Sequence, residues 1–244
     1  MSTARYALRS IHRTPTMNFI IPAAPVPSLA IHGSDARFPL HRIYCIGQNY
    51  ALHAKEMGSA VDRETPVFFC KPADAIVTGD ADVPYPPATH DLHHEVEMIV
   101  VLAAGGRDIA VEHALDRVFG YGVGLDLTRR DLQAQAKKAG RPWDTAKAFD
   151  HSAPVSALRR AGEIGHPQHA RLRLDVNGER RQETDIADMV SSVAEIIHHL
   201  SGLFELKPGD LIFTGTPAGV APLQRGDRFE AELEGIATLR GRIA

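Results

Sequence analysis

The sequence predicts a strand-rich α+β fold. Apolar residues fall in many short runs closed by Gly, Pro or Asp, only a few segments carry helical spacing, and the two kinds do not alternate as in a doubly wound parallel sheet. At 244 residues the chain can bury a substantial core, and 44% hydrophobic with 23% charged residues is ordinary for a globular protein. No internal repeat or low-complexity segment interrupts it.

The elements follow in order. The first sixteen residues carry Arg5, Arg9 and Arg13 and no acid. They are expected to be a disordered extension rather than a targeting peptide, with Met17 offering a second start. Residues 17–41 are expected to run as an extended arm, because Pro22, Pro25 and Pro27 exclude a regular helix. Arg42–Ile46 is the first regular strand, and Gly47 leads to a helix over about Asn49 to Met57 that Gly58 ends. A strand lies between Pro66 and Pro72, and another over Asp91–Ala103 has a polar start and an apolar end. Residues 111–118 suit a short helix, Val118–Leu127 a strand, and Asp131–Ala139 a helix with an acid at its start and Gly140 after its end. Met189, Val193, Ile196, Ile197, Leu200, Leu203 and Phe204 share one face of a helix predicted over 186–204. Lys207–Asp210 turns into a strand at Leu211–Thr214, and the tail from Asp227 to Ile243 alternates like β structure.

The formal net charge of -3 argues against nucleic-acid binding. No apolar stretch is long enough to span a bilayer. Cys45 and Cys70 form neither a disulfide framework nor a zinc pattern, so both are expected to be buried thiols in a reducing cytoplasm.

In His93-His94-Glu95-Val96-Glu97, alternation along a strand sends both carboxylates to one face beside a core-like run. They must then reach solvent or share a cation. Asp126, in equally apolar surroundings, can join them, and an all-oxygen set suits Mg2+ or Mn2+ rather than zinc. His90, His93 and His94 are read as surface or hydrogen-bonded histidines. His53 and Glu56, three apart, could form a dyad that activates water, or be a solvated helix face. Lys147, Arg130 and Gln133 could bind an anionic substrate, or be surface cations and a surface amide. The glycine-punctuated loop Phe213–Val220 suits close approach of a ligand but lacks the ending of a phosphate loop.

CIGQNYALHAKEMG, PVFFCKPADAIV, HHEVEMIVVL, YGVGLDLTRRDLQ, GRPWDTAKAFD and LIFTGTPAGV occur in an order that resembles the fumarylacetoacetate hydrolase family. The resemblance covers Ile43 to the C-terminus and implies a catalytic domain over 42–244 with that family's mixed β-sheet roll. It makes Glu95, Glu97 and Asp126 the ligands of Mg2+ or Mn2+, His53 and Glu56 the water-activating dyad on a lid hinged near Gly58–Ala60, and Lys147 the active-site lysine. Arg130, Gln133 and Thr216 match pocket positions, as does Gln48, although the family commonly has arginine there. The implied partners are a small acylpyruvate and a second copy of the chain in a homodimer. The N-terminal arm further resembles the branch that cleaves fumarylpyruvate to fumarate and pyruvate in gentisate-type aromatic catabolism. Decarboxylation of oxaloacetate, isomerisation of a hydroxydienedioate, or ligand binding without chemistry are the competing readings on the same scaffold.

Overall fold

The computed structural model describes residues 18–58 and 61–244, so the expected extension over residues 1–16 lies outside the described residues. A six-stranded mixed sheet forms the centre, in the order Arg159–Arg160, Val118–Leu125, Val96–Leu102, Asp210–Phe213, Arg42–Gly47 and Val67–Lys71. Its neighbours are antiparallel except Asp210–Phe213 with Arg42–Gly47, which run parallel. A four-stranded antiparallel sheet, Glu179–Asp185, Arg171–Val176, Arg228–Leu233 and Ala237–Arg242, stands beside it.

The continuous apolar run Met98–Leu102 is explained by burial of both faces of the central sheet. Met98, Val100 and Leu102 join a core with Leu172, Leu174, Ile196 and Leu200. Ile99 and Val101 join another with Cys45, Val155, Leu211 and Phe213.

Several expectations need correction. The arm over 17–41 contains an antiparallel hairpin, Ser28–Ile31 with Ser34–Pro39, once the chain has passed its prolines. The strand expected over Asp91–Ala103 breaks at His94–Glu95. Leu92–His93 pairs in a small three-stranded sheet and Val96–Leu102 in the central one, so the chain changes sheets between them. The helix expected over 186–204 spans only Val193–Leu203. The preceding residues are held by other partners: Met189 bridges Tyr50, and Val190 N–H donates to Asn49 O at 2.8 Å. Cys45 is buried, but Cys70 is exposed, because it lies on the edge strand Val67–Lys71.

Ser192 starts the shortened helix with a capping box: its hydroxyl accepts from Glu195 N–H, and Glu195 Oε2 accepts from Ser192 N–H at 2.7 Å. Ser192→Ala should cost about 1 kcal/mol. Thermal unfolding would then fall by roughly 2–4 °C, and an unchanged midpoint would show that the cap contributes nothing.

Candidate metal centre and active site

Strand register brings the carboxylates together. Val96 pairs with Leu125 across the central sheet, so Glu95 and Asp126, one residue beyond that pair, are neighbours. Asp126 N–H donates to Glu95 O at 2.8 Å. Glu97 is two residues from Glu95 and faces the same side. One oxygen from each carboxylate lies within 4.8 Å of the others, and all three residues are buried.

Their partners differ. Lys147, at the end of the short helix Asp144–Lys147, donates from Nζ to Glu95 Oε2 at 2.8 Å and to Asp126 Oδ2 at 2.6 Å. Arg130, first residue of the helix Arg130–Ala139, donates to Glu95 Oε1 at 2.5 Å and to Gln133 Oε1 at 2.6 Å. That helix ends as the sequence suggests, with Gly140 in the left-handed region at φ 61°. Among the described residues Glu97 Oε2 accepts only the Gly215 N–H, at 2.6 Å. Gly215 has φ 94°, and a Cβ there would sit 2.6 Å from Asn49 Cβ, so glycine lets this backbone reach the carboxylate.

Burial raises the Glu97 carboxyl well above its usual range, and Asp126 and Glu95 push it the same way. Burial acts equally on Glu95, but Lys147 and Arg130 overcome it and hold that carboxyl well below the usual range. Burial would lower the Lys147 pKa, yet Asp126 and Glu95 keep it raised.

Lys71, whose role the sequence reading missed, is also buried here. Its Nζ forms an ion pair with Asp126 Oδ1 at 2.9 Å and donates to Leu127 O, at 3.2 Å, and to Lys147 O. The available signal was a lysine ending the apolar run Val67–Cys70. Lys71→Met should leave Asp126 short of a cation and destabilise the fold by about 3 kcal/mol, measurable by urea unfolding. An unchanged urea midpoint would mean that Lys147 alone compensates Asp126.

These residues fit a divalent cation. The donor set is all oxygen, Asp126 Oδ1 has no hydrogen bond beside its Lys71 ion pair, and Glu97 is a buried carboxylate without an ion-pair partner among the described residues. The three acids are balanced in charge by Lys71, Arg130 and Lys147. The charge of an added ion would thus remain for an anionic ligand to meet.

The dyad residues meet in the same place. In the helix Ala51–Glu56, His53 Nδ1 lies 3.1 Å from Glu56 Oε2, and Gly219 N–H donates to both Glu56 oxygens at 3.1 and 3.3 Å. With Nδ1–H donated to Glu56, the second ring nitrogen is available to the pocket that His53 lines with Glu95, Glu97 and Asp126. Of the segment expected to hinge, Gly58 has φ 70°, while Ser59 and Ala60 lie outside the described residues.

Gln48, Arg130, Gln133 and Thr216 line this pocket too. Gln48 holds φ 60°, strained for a residue with a side chain. The neighbouring turn is fixed by Asn49, which bonds Ser191 and the Thr214 carbonyl. Thr216 donates its hydroxyl to Val96 O at 2.9 Å and accepts from Gln182 Nε2 at 2.9 Å. Gln182, also missed, has its Oε1 beside His94 Nδ1 at 2.9 Å and accepts from Val96 N–H at 3.1 Å, tying the outer sheet to the site. Burial lowers the His94 pKa to about 4, so the ring stays neutral. His93 bonds Asp91 at 2.9 Å, and His90 is exposed.

Residues 42–244 match the family model for the fumarylacetoacetate (FAA) hydrolase C-terminal domain. The chain belongs to the fumarylacetoacetate hydrolase family. As a member it shares 48% identity with fumarylpyruvate hydrolase from Pseudomonas aeruginosa, whose crystal structure is in complex with Mn2+ and pyruvate. That superposition has a TM-score of 0.91 and covers 93% of this chain and 99% of the other. Oxaloacetate tautomerase YcgM of Escherichia coli (strain K12) is 46% identical over 204 residues, 83% of this chain and 93% of the relative. The mitochondrial oxaloacetate tautomerase FAHD1 of Mus musculus is 44% identical over 201 residues, 82% and 90% of the two chains. Family membership therefore confirms the strand-rich α+β reading and places the chain among enzymes. Among the described residues no helix is long and apolar enough to cross a membrane.

Proposed function

We propose that this protein is a metal-dependent acylpyruvate hydrolase that cleaves fumarylpyruvate to fumarate and pyruvate, a reaction of gentisate-type aromatic catabolism in the cytoplasm. Glu95, Glu97 and Asp126 would hold Mg2+ or Mn2+. The observation that carries the reading is the His53–Glu56 pair at 3.1 Å, opening onto the pocket of the three acids. Likeness to a fumarylpyruvate hydrolase described with Mn2+ and pyruvate supports it.

When bound, the ion supplies a Lewis acid for the substrate's carboxylate and 2-oxo group and a sink for electrons. His53 accepts a proton from water, and Glu56, held by Gly219 N–H, orients the ring and stabilises its charge. The water oxygen bonds to the C4 carbonyl carbon and the C3–C4 bond breaks. Its electron pair passes to the departing pyruvate as an enolate, and C3 then takes the proton that His53 had removed from water. Lys147 provides a fixed positive charge for that enolate. Arg130 and Gln133 order the wall beside Glu95, with Gln48 and Thr216 completing the substrate contacts. A homodimer belongs to the same reading, and light scattering on the purified protein reads it directly.

Oxaloacetate tautomerisation is the second reading, favoured by the relatives at 46% and 44% identity. It needs a proton moved between carbon and oxygen but no attacking water. Fumarylpyruvate should lose its enol absorbance with Mg2+ or Mn2+ and not with EDTA, releasing pyruvate and fumarate in equal amounts. Accelerated oxaloacetate tautomerisation without cleavage of fumarylpyruvate would replace the hydrolase reading by the second.

A further inference from the structure

Arg130, Gln133 and Lys137 lie three and four residues apart on one face of the helix Arg130–Ala139, and all three line the pocket. Arg130 and Gln133 are already bonded to each other, and Arg130 also to Glu95. Lys137 differs. Its side chain is at the exposed mouth, and its ammonium has no hydrogen-bond or carboxylate partner among the described residues. It rests over the Trp143 ring, 5.1 Å from the centroid.

Trp143 in turn lies against Phe69, with centroids 5.8 Å apart, and Lys147 Nζ sits 5.0 Å from the Phe69 centroid. One aromatic wall thus runs from a neutralised lysine at the buried centre to an unpaired lysine at the mouth. Partial desolvation and the like charges of Arg130 and Lys147 lower the Lys137 pKa against the pull of Glu95, a cost that an anion at the mouth would relieve.

The span fits a two-ended ligand. Seven residues of helix separate Arg130 from Lys137 by about 10 Å. In a seven-carbon dicarboxylic acylpyruvate, six carbon–carbon bonds separate the two carboxylate carbons, roughly 7–8 Å when extended. With the oxo-acid end among the acids and Arg130, the far end reaches toward Lys137.

We propose that Lys137, seated on Trp143, binds a second carboxylate at the far end of the substrate, so that the site selects dicarboxylic acylpyruvates over those with an uncharged acyl tail. The inference rests on the acylpyruvate reading of the same site. Loss of one charge-assisted contact corresponds to roughly a 10- to 100-fold fall in kcat/KM.

The test compares Lys137→Met with wild type on fumarylpyruvate and on acetylpyruvate, both with Mn2+. The expected result is a 10- to 100-fold loss on fumarylpyruvate, carried mainly by KM, with acetylpyruvate within about twofold and Lys137→Arg restoring the preference. Equal losses on both substrates, or no loss on either, overturn the proposal while leaving the hydrolase reading intact. If wild type cleaves neither compound, that reading fails instead. Calorimetric affinities of the same two compounds then decide: a preference for the dianion lost in Lys137→Met supports the role of Lys137, and an unchanged preference removes it.

Discussion

Glu97→Gln is expected to abolish metal-dependent turnover while the protein stays folded. The amide has nearly the shape of the carboxylate, and its oxygen can still accept the Gly215 N–H that Glu97 accepts at 2.6 Å. What it loses is the charge. Substitutions even behind metal ligands cost roughly 10- to 100-fold in affinity, so loss of a ligand's charge should exceed that. Because burial, Asp126 and Glu95 already disfavour the charged form of Glu97, the neutral amide should leave the metal-free protein at least as stable. Calorimetry and thermal unfolding with and without Mn2+ read both effects. Wild type should gain about 2.7 kcal/mol at a hundredfold excess of Mn2+ over its Kd, and the variant almost nothing. A variant that binds Mn2+ and turns over like wild type would remove Glu97 from the centre.

His53→Ala should divide the chemistry differently, lowering hydrolysis by about 10²–10⁴ while the metal affinity stays within a few fold. The reason is placement: His53 contacts Glu56 and faces the pocket, whereas the three acids are supported by Lys71, Arg130, Lys147 and the Gly215 N–H. Single-turnover product release, followed beside Mn2+ titration, separates the two properties. Full hydrolysis in the variant would take His53 out of the mechanism, and loss of Mn2+ binding would make it part of the metal site instead.

How far the sequence could be read depended on where each side chain's partners lie. The Ser192-x-x-Glu195 capping signal was present, yet seven apolar residues at helical spacing masked it, and the helix begins only after that cap. Met189 kept the spacing without the helix because Tyr50 and Asn49 hold the segment from another part of the chain. Conversely, His53 and Glu56 were legible because both sit on one local turn of helix.

The sequence by itself determined the strand-rich class, put three acids in apolar surroundings and set His53 and Glu56 within reach of each other on one helix. Alternation and helical spacing are properties of a short stretch of chain, and they survive without knowledge of the fold. Only the tertiary structure decided that Glu95 meets Asp126, that Lys71 backs Asp126 from another strand, that Glu97 has no ion-pair partner among the described residues, and that Lys137 and Trp143 share the pocket mouth. Each of those depends on register and packing between segments distant in sequence, and a local period carries no information about which distant strand or loop will supply a buried charge with its partner.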